Sequence, residues 1–98
     1  MQQYLKYIQE AIKSNFNCES NYIESVPIHE TFQGKTVWKG IVEVFELVGH
    51  PQADLCFAWG HNTDDSKSEY VTVLKLPPVD SPQDAVRASI VAESKNKP

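Results

Sequence analysis

From residue 2 to about 15, apolar side chains return at every third or fourth position. Tyr4, Leu5, Ile8, Ala11 and Ile12 fall on one side, with Gln3, Lys6, Gln9, Glu10 and Lys13 opposite, which is the period of an amphipathic helix. Ser14-Asn15 and Asn17 supply turn chemistry that ends it, and Phe16 anchors the exit. The period then shortens to two. Between Tyr22 and Phe32 the alternation is loose, with Tyr22, Val26, Ile28 and Phe32 against Ser25, Pro27, His29 and Thr31. Pro27 lacks a backbone donor and confines this strand to an edge. Gln33-Gly34-Lys35 turns the chain into a hairpin.

The next strand, Val37 to Val48 (VWKGIVEVFELV), is apolar on both faces. Trp38, Gly40, Val42, Val44, Glu46 and Val48 share one face; Val37, Lys39, Ile41, Glu43, Phe45 and Leu47 share the other. A small antiparallel domain ordinarily buries one face and wets the other. This strand therefore requires cover on both sides, from a second layer, a partner chain or a ligand.

Gly49-His50-Pro51-Gln52 makes a second tight turn. Leu55 to Trp59 follows as a strand, with Leu55, Phe57 and Trp59 on one face and Asp54, Cys56 and Ala58 on the other. Gly60 to Lys67 (GHNTDDSK) is a polar loop, and Glu69 to Leu76 (EYVTVLKL) is again apolar on both sides until Pro77-Pro78 stops it. The clearest local signal is Ser81-Pro82-Gln83-Asp84. It offers a capping hydroxyl, a proline for the first helical position, and a carboxylate that faces the positive helix end and returns a hydrogen bond to the cap. Ala85, Val86, Ser89, Ile90 and Val91 form the buried side of that helix, and residues from about 94 to 98 fray.

This order predicts one domain over residues 1–98, of class α+β. It is a two-layer fold in which a four-stranded antiparallel meander carries the N-terminal and the C-terminal helix on one face. The other face is left open, and its Val, Phe and Trp side chains predict a homodimer packed sheet against sheet. A chain of 98 residues, 41% of them apolar, builds one modest core, which makes self-association a natural supplement.

Charge narrows the partners. The net charge is −4, and the nine basic residues are scattered, with Arg87 the sole arginine, so nucleic acid is disfavoured. No apolar run is long enough for a bilayer, and MQQYLKYIQE has neither a basic n-region nor a continuous apolar stretch. The expected setting is cytoplasmic, with no membrane partner and with Cys18 and Cys56 as free thiols. Those two cysteines form neither a metal signature nor a redox pair. No glycine loop suited to phosphate and no G-x-S-x-G is present, so no cofactor and no catalytic residue is assigned.

Candidate chemistry lies in the strands. Glu43, Glu46 and Asp54 interrupt apolar runs, and a carboxylate forced into such a place titrates high unless paired. An ion pair with Arg87 or Lys39, or a β-bulge near Glu43, are the structural alternatives. Trp38, Phe45, Phe57, Trp59 and Tyr70 give the middle of the sheet an aromatic lining. Trp38, Glu43, Phe57, Trp59, His61 and Tyr70 are the candidate ligand-binding residues. His50 and His61 bracket the third strand and stand too far apart to share a metal, while His29 lies on the polar side of the first. Asn62 and Asp64 have calcium-loop spacing, but the turn glycine and distal glutamate are absent, so no metal site is expected. Cys56, between Leu55 and Phe57, reads as inert core.

These features predict a small non-catalytic binding or interaction module that self-associates through its sheet. The competing expectation is a small-molecule sensor or small enzyme. Its aromatic-lined pocket lies between helices and sheet, walled by Phe57, Trp59 and Tyr70, with Glu43, Asp54 or His61 as polar groups.

Overall fold

The structure, a computed structural model, describes residues 2–62 and 68–96, with the side chains of 4–60 and 70–92. The elements run α1 (Gln2–Phe16), β1 (Glu19–Phe32), β2 (Lys35–Val48), β3 (Leu55–Asn62), β4 (Ser68–Leu74) and α2 (Pro82–Asn96). All neighbouring strands pair antiparallel in one open sheet of order β1-β2-β3-β4. The α+β class and the meander between two helices are those the hydrophobic pattern predicts.

Local chemistry sets the boundaries. Asn17 takes φ 56 and its amide donates to the Lys13 carbonyl at 2.8 Å, a left-handed stop to α1. Gln33 (φ 54) and Gly34 (φ 79) are both left-handed, as a two-residue hairpin turn matched to strand twist requires. At α2, Ser81 Oγ accepts from the Asp84 amide at 3.1 Å. Asp84 Oδ2 accepts from the Asp80 amide at 3.1 Å, one residue before the cap rather than at it.

The layers differ from the expected ones. The sequence pattern places both helices on one face; the structure places them on opposite faces. Under α1, Ile8 and Ile12 meet Phe45, Leu47, Cys56 and Ala58. Under α2, Ala85 and Val86 meet Val42, Val44, Phe57 and Trp59. Strand register keeps the two sets apart: Phe45 stands opposite Cys56 and Cys56 opposite Leu74, while Val44 stands opposite Phe57 and Phe57 opposite Val73.

The physical reason is the two-sided apolarity of β2 and β3. Val42, Val44, Phe57 and Trp59 are 0–4% exposed beneath α2. Burying such a side chain is worth about 1.5–3 kcal/mol. Four of them left in water would consume much of the roughly 5–15 kcal/mol by which a domain is stable. The connection after β4 makes the crossing. Leu76 packs into the α1 core, Val79 into the α2 core, and the Val79 amide donates to the Leu76 carbonyl at 2.7 Å. The chain thus turns around the end of the sheet within three residues. The face predicted to receive a second copy's sheet holds α2.

Two cores separated by a sheet should respond independently. Ile8→Ala is expected to cost about 2–5 kcal/mol, and Val86→Ala about 2 kcal/mol. In denaturant unfolding the double variant should lose their sum to within about 0.5 kcal/mol. A larger deviation means that both helices share one core.

Candidate functional site

The β1–β2 hairpin outruns the rest of the sheet. β1 and β2 pair from Glu19/Val48 to Phe32/Lys35, whereas β2 and β3 are in register only from Glu43 to Glu46. The distal hairpin is therefore a two-stranded ribbon, which is marginal alone. Cover comes from α2: Val26, Ile28, Trp38 and Ile90 pack around the core beneath it.

A bulge shapes the ribbon's end. Glu30 pairs with Trp38 and Thr31 with Thr36, so Val37 has no cross-strand partner. Between this end and α2 lies a groove of about 540 Å3, lined by Glu30, Thr31, Phe32 and Val37 from the hairpin and Arg87, Ile90 and Val91 from the helix. Phe32, Val37 and Val91 present apolar surface there, with Phe32 66% exposed.

Its polar group is an ion pair built from two elements. The Glu30 side chain is only 9% exposed and accepts from Arg87 Nε at 2.5 Å and from Gln83 Nε2 at 2.6 Å. Gln83 and Arg87 are one helical turn apart, so both reach the same carboxylate. The Arg87 hydrogen bond, then that of Gln83, holds Glu30 below its ordinary 4.5, outweighing the partial burial that opposes them. The same bond raises Arg87, whose side chain is 60% exposed. With Nε committed to Glu30, the remaining guanidinium N–H groups form the positive pole of an otherwise apolar groove.

The residues singled out from sequence do not converge there, nor with one another. Trp38, Phe57 and Trp59 lie on the α2 face. Trp38 meets Trp59 edge-on, with ring centroids 5.6 Å apart. A Cβ on Gly40 would come within 3.0 Å of the Trp38 ring, so the glycine admits the indole. Phe57 and Trp59 fill core rather than line an opening.

Glu43 and Tyr70 lie on the α1 face. Glu43 is buried and accepts a hydrogen bond from the Ser25 hydroxyl, its cross-strand neighbour, which in turn bonds Tyr22 Oη at 2.6 Å. Neither expected cation serves it, since Arg87 goes to Glu30. The nearby bulge falls on β1, at Ile23, and leaves Glu43 inside while Glu46 and Asp54 are exposed. Tyr70 packs with Tyr4 and Tyr7 at centroid distances of 6.1 and 6.4 Å. Gly60 lies beneath, where a Cβ would approach the Tyr70 ring to 3.0 Å, and its amide donates to Tyr4 Oη at 3.1 Å. Burial raises the Tyr4 hydroxyl pKa. The sheet thus separates Phe57 and Trp59 from Tyr70, and they do not wall a common pocket.

His61 is on β3, but its side chain lies outside the described ones, as do residues 63–67 of the polar loop, with Asp64 among them. His50 Nδ1 accepts from the Gln52 and Ala53 amides, both at 3.1 Å, as a turn residue. His29 Nε2 bonds Thr36 Oγ1 at 2.6 Å. Among the described residues no group of three His, Cys, Asp or Glu side chains is placed to hold a metal ion. The Cys56 thiol is pushed by burial to about 12.

Sequence reasoning missed Glu30, Phe32, Val37, Gln83, Arg87 and Val91 as site residues. Two signals were available. Glu30 is an acidic residue on the apolar side of its strand, in phase with Val26, Ile28 and Phe32, and the sole arginine follows Gln83 at helical spacing. Comparisons with protein-family models, with curated proteins and with solved structures find no match to the chain.

The ion pair has a pH signature. A carboxylate whose folded pKa is lowered adds stability above its unfolded value, and that contribution disappears as pH falls through the folded one. Glu30→Gln should therefore melt below the wild type at about pH 7, with the gap narrowing progressively as pH falls below the ordinary carboxylate value of about 4.5. A gap that persists in acid means that the carboxylate charge is not its source. Cys56 should resist thiol reagents at about pH 8 until the protein unfolds. Rapid labelling of the native chain would place that thiol near solvent.

Proposed function

We propose that the chain is a non-catalytic binding module whose ligand is a small apolar molecule carrying an anionic group, seated between the hairpin end and α2. The observation that carries this reading is one open groove of about 540 Å3 in which apolar walls meet a guanidinium anchored by Glu30. Small-molecule sites commonly span about 300–1,000 Å3. The apolar body of such a ligand gains by taking Phe32, Val37 and Val91 out of water, at about 25 cal/mol per Å2. Its anionic end gains a charge-assisted hydrogen bond from Arg87. Glu30 does not oppose this, because both its oxygens accept from protein donors and the guanidinium balances its charge.

The non-catalytic part rests on how the reactive groups are tied. Glu43 is bonded to Ser25 beneath α1, Glu30 accepts two hydrogen bonds, and the Cys56 thiol stays protonated at neutral pH. None is a free base or nucleophile at the groove. A cytoplasmic setting belongs to the same reading, supported by Cys18 and Cys56, which are free and buried in one core. Among the described residues no helix is long and apolar enough to cross a membrane.

Titration of isotope-labelled protein with decanoate, followed by NMR with decanol as the uncharged control, tests the proposal. Shifts should concentrate at Phe32, Val37, Arg87, Ile90 and Val91. Arg87→Gln, which keeps a donor for Glu30, should weaken decanoate about tenfold while leaving decanol nearly unchanged. Decanoate shifts that avoid these residues, or that ignore Arg87→Gln, would sink the reading.

A further inference from the structure

We propose that β4 pairs antiparallel with β4 of a second copy of this chain, about a two-fold axis at Thr72, so that two four-stranded sheets become one. This goes beyond ligand binding and stands apart from it, since the groove lies at the β1–β2 hairpin and β4 is the opposite edge.

The two edges are built differently. β1 carries Pro27, a bulge at Ile23 and the charges Glu19, Glu24 and Glu30, all devices that protect an open edge from pairing. From Tyr70 to Leu74 (YVTVL), β4 has no proline, no charge and no break in its register with β3. All five of these residues are half-buried, so the strand keeps apolar surface in water on both of its faces. Tyr70 and Leu74 sit at the border of the α1 core, and Val71 and Val73 at the border of the α2 core. Tyr7, 49% exposed, packs on Tyr70 at the same border.

The backbone specifies the register. The Lys75 amide donates to the Leu55 carbonyl at 2.9 Å. Alternation then turns Val71, Val73 and Lys75 towards β3 and directs the amides of Tyr70, Thr72 and Leu74 outward. Among the described residues no strand pairs with that outer side. Centring a two-fold on Thr72 gives all three outward residues a partner, the Leu74 carbonyl, which already accepts from the Leu76 amide at 2.9 Å, taking a second donor. Thr72 meets the partner's Thr72, and Tyr70 meets the partner's Leu74.

The side chains then complement themselves. Val71 comes opposite the partner's Val73, and Tyr70 opposite the partner's Leu74, apolar and aromatic pairs of the kind that stabilise sheets. In the backbone register the positions of Glu69 and Lys75 lie three residues either side of Thr72, so each falls opposite the other's position in the partner, twice by symmetry, and Lys75 would exchange its exposed contact with Asp80, at 3.8 Å, for the cross-strand one. That charge complementarity selects a second copy over an unrelated extended segment.

Light scattering on a sizing column, across a dilution series, should give twice the 11.1 kDa chain mass, falling to one chain on dilution. Thr72→Pro removes an outward amide that β3 does not use, and should leave a folded monomer by circular dichroism. Glu69→Lys should weaken the dimer about tenfold, and Glu69→Lys combined with Lys75→Glu should restore it. Restoration by the charge swap is an outcome that mere damage to β4 would not produce. A monomer at every concentration overturns the proposal and leaves the edge to an extended segment of another protein. A dimer indifferent to both Thr72→Pro and Glu69→Lys overturns it too, by placing the interface elsewhere.

Discussion

Everything in this fold follows from one constraint: the centre of the sheet is apolar on both sides. β2 and β3 present Phe45, Leu47, Cys56 and Ala58 to one side and Val42, Val44, Phe57 and Trp59 to the other. Each helix offers a single apolar stripe, so one helix per face is the arrangement that dries both. The third layer is thus a consequence of strand composition, and the short turn from Leu76 to Val79 is what lets the last helix reach the far side. A chain of this size has little stability to spare, and the open face that a two-layer fold leaves would be costly.

The same helix that closes the second core also creates the candidate site. α2 lies across a hairpin whose distal half has no third strand beside it. Ala85 and Val86 face inward to the core, while Gln83 and Arg87 reach out to Glu30 on the hairpin. The groove is therefore the seam where a helix meets a ribbon it must support. Its depth depends on Phe32 and Val37 at the ribbon end, where the bulge interrupts pairing. Fold stability and groove shape share one contact.

Much of the local structure was legible because it is written in short periods. The helical spacing of Leu5, Ile8 and Ile12, the Gln33-Gly34 turn, the proline stop after β4 and the Ser81 cap each depend on neighbours in the chain. Even the face assignments along β2 and β3 follow from alternation alone. What alternation does not encode is which helix goes to which side. The sequence shows that both faces need cover; the choice between a second helix and a second chain turns on Leu76, which reads as the end of a strand, and Val79, beyond the Pro77-Pro78 stop. The groove was hidden for a related reason. Glu30 meets Arg87 across 57 positions of sequence, and no local pattern joins them. Aromatic residues drew attention instead, and Trp38, Phe57 and Trp59 proved to be packing while Tyr70 belongs to the other face.

Two glutamates are buried on the apolar faces, one on each side, and each is satisfied differently. Glu43 takes its hydrogen bond from Ser25, directly across the strand pair, beneath α1. Its partner is neutral and lies directly across the strand pair, so the bond aligns β1 on β2. Glu30 takes its hydrogen bonds from another element, and one donor is a guanidinium that is itself largely in water. The Arg87 side chain is 60% exposed, held in place by its Nε. The buried Glu30 carboxylate thus holds an exposed cation beside apolar walls, whereas Glu43 is closed by a hydroxyl within its own sheet. The first kind sits at the hairpin end and the second under α1.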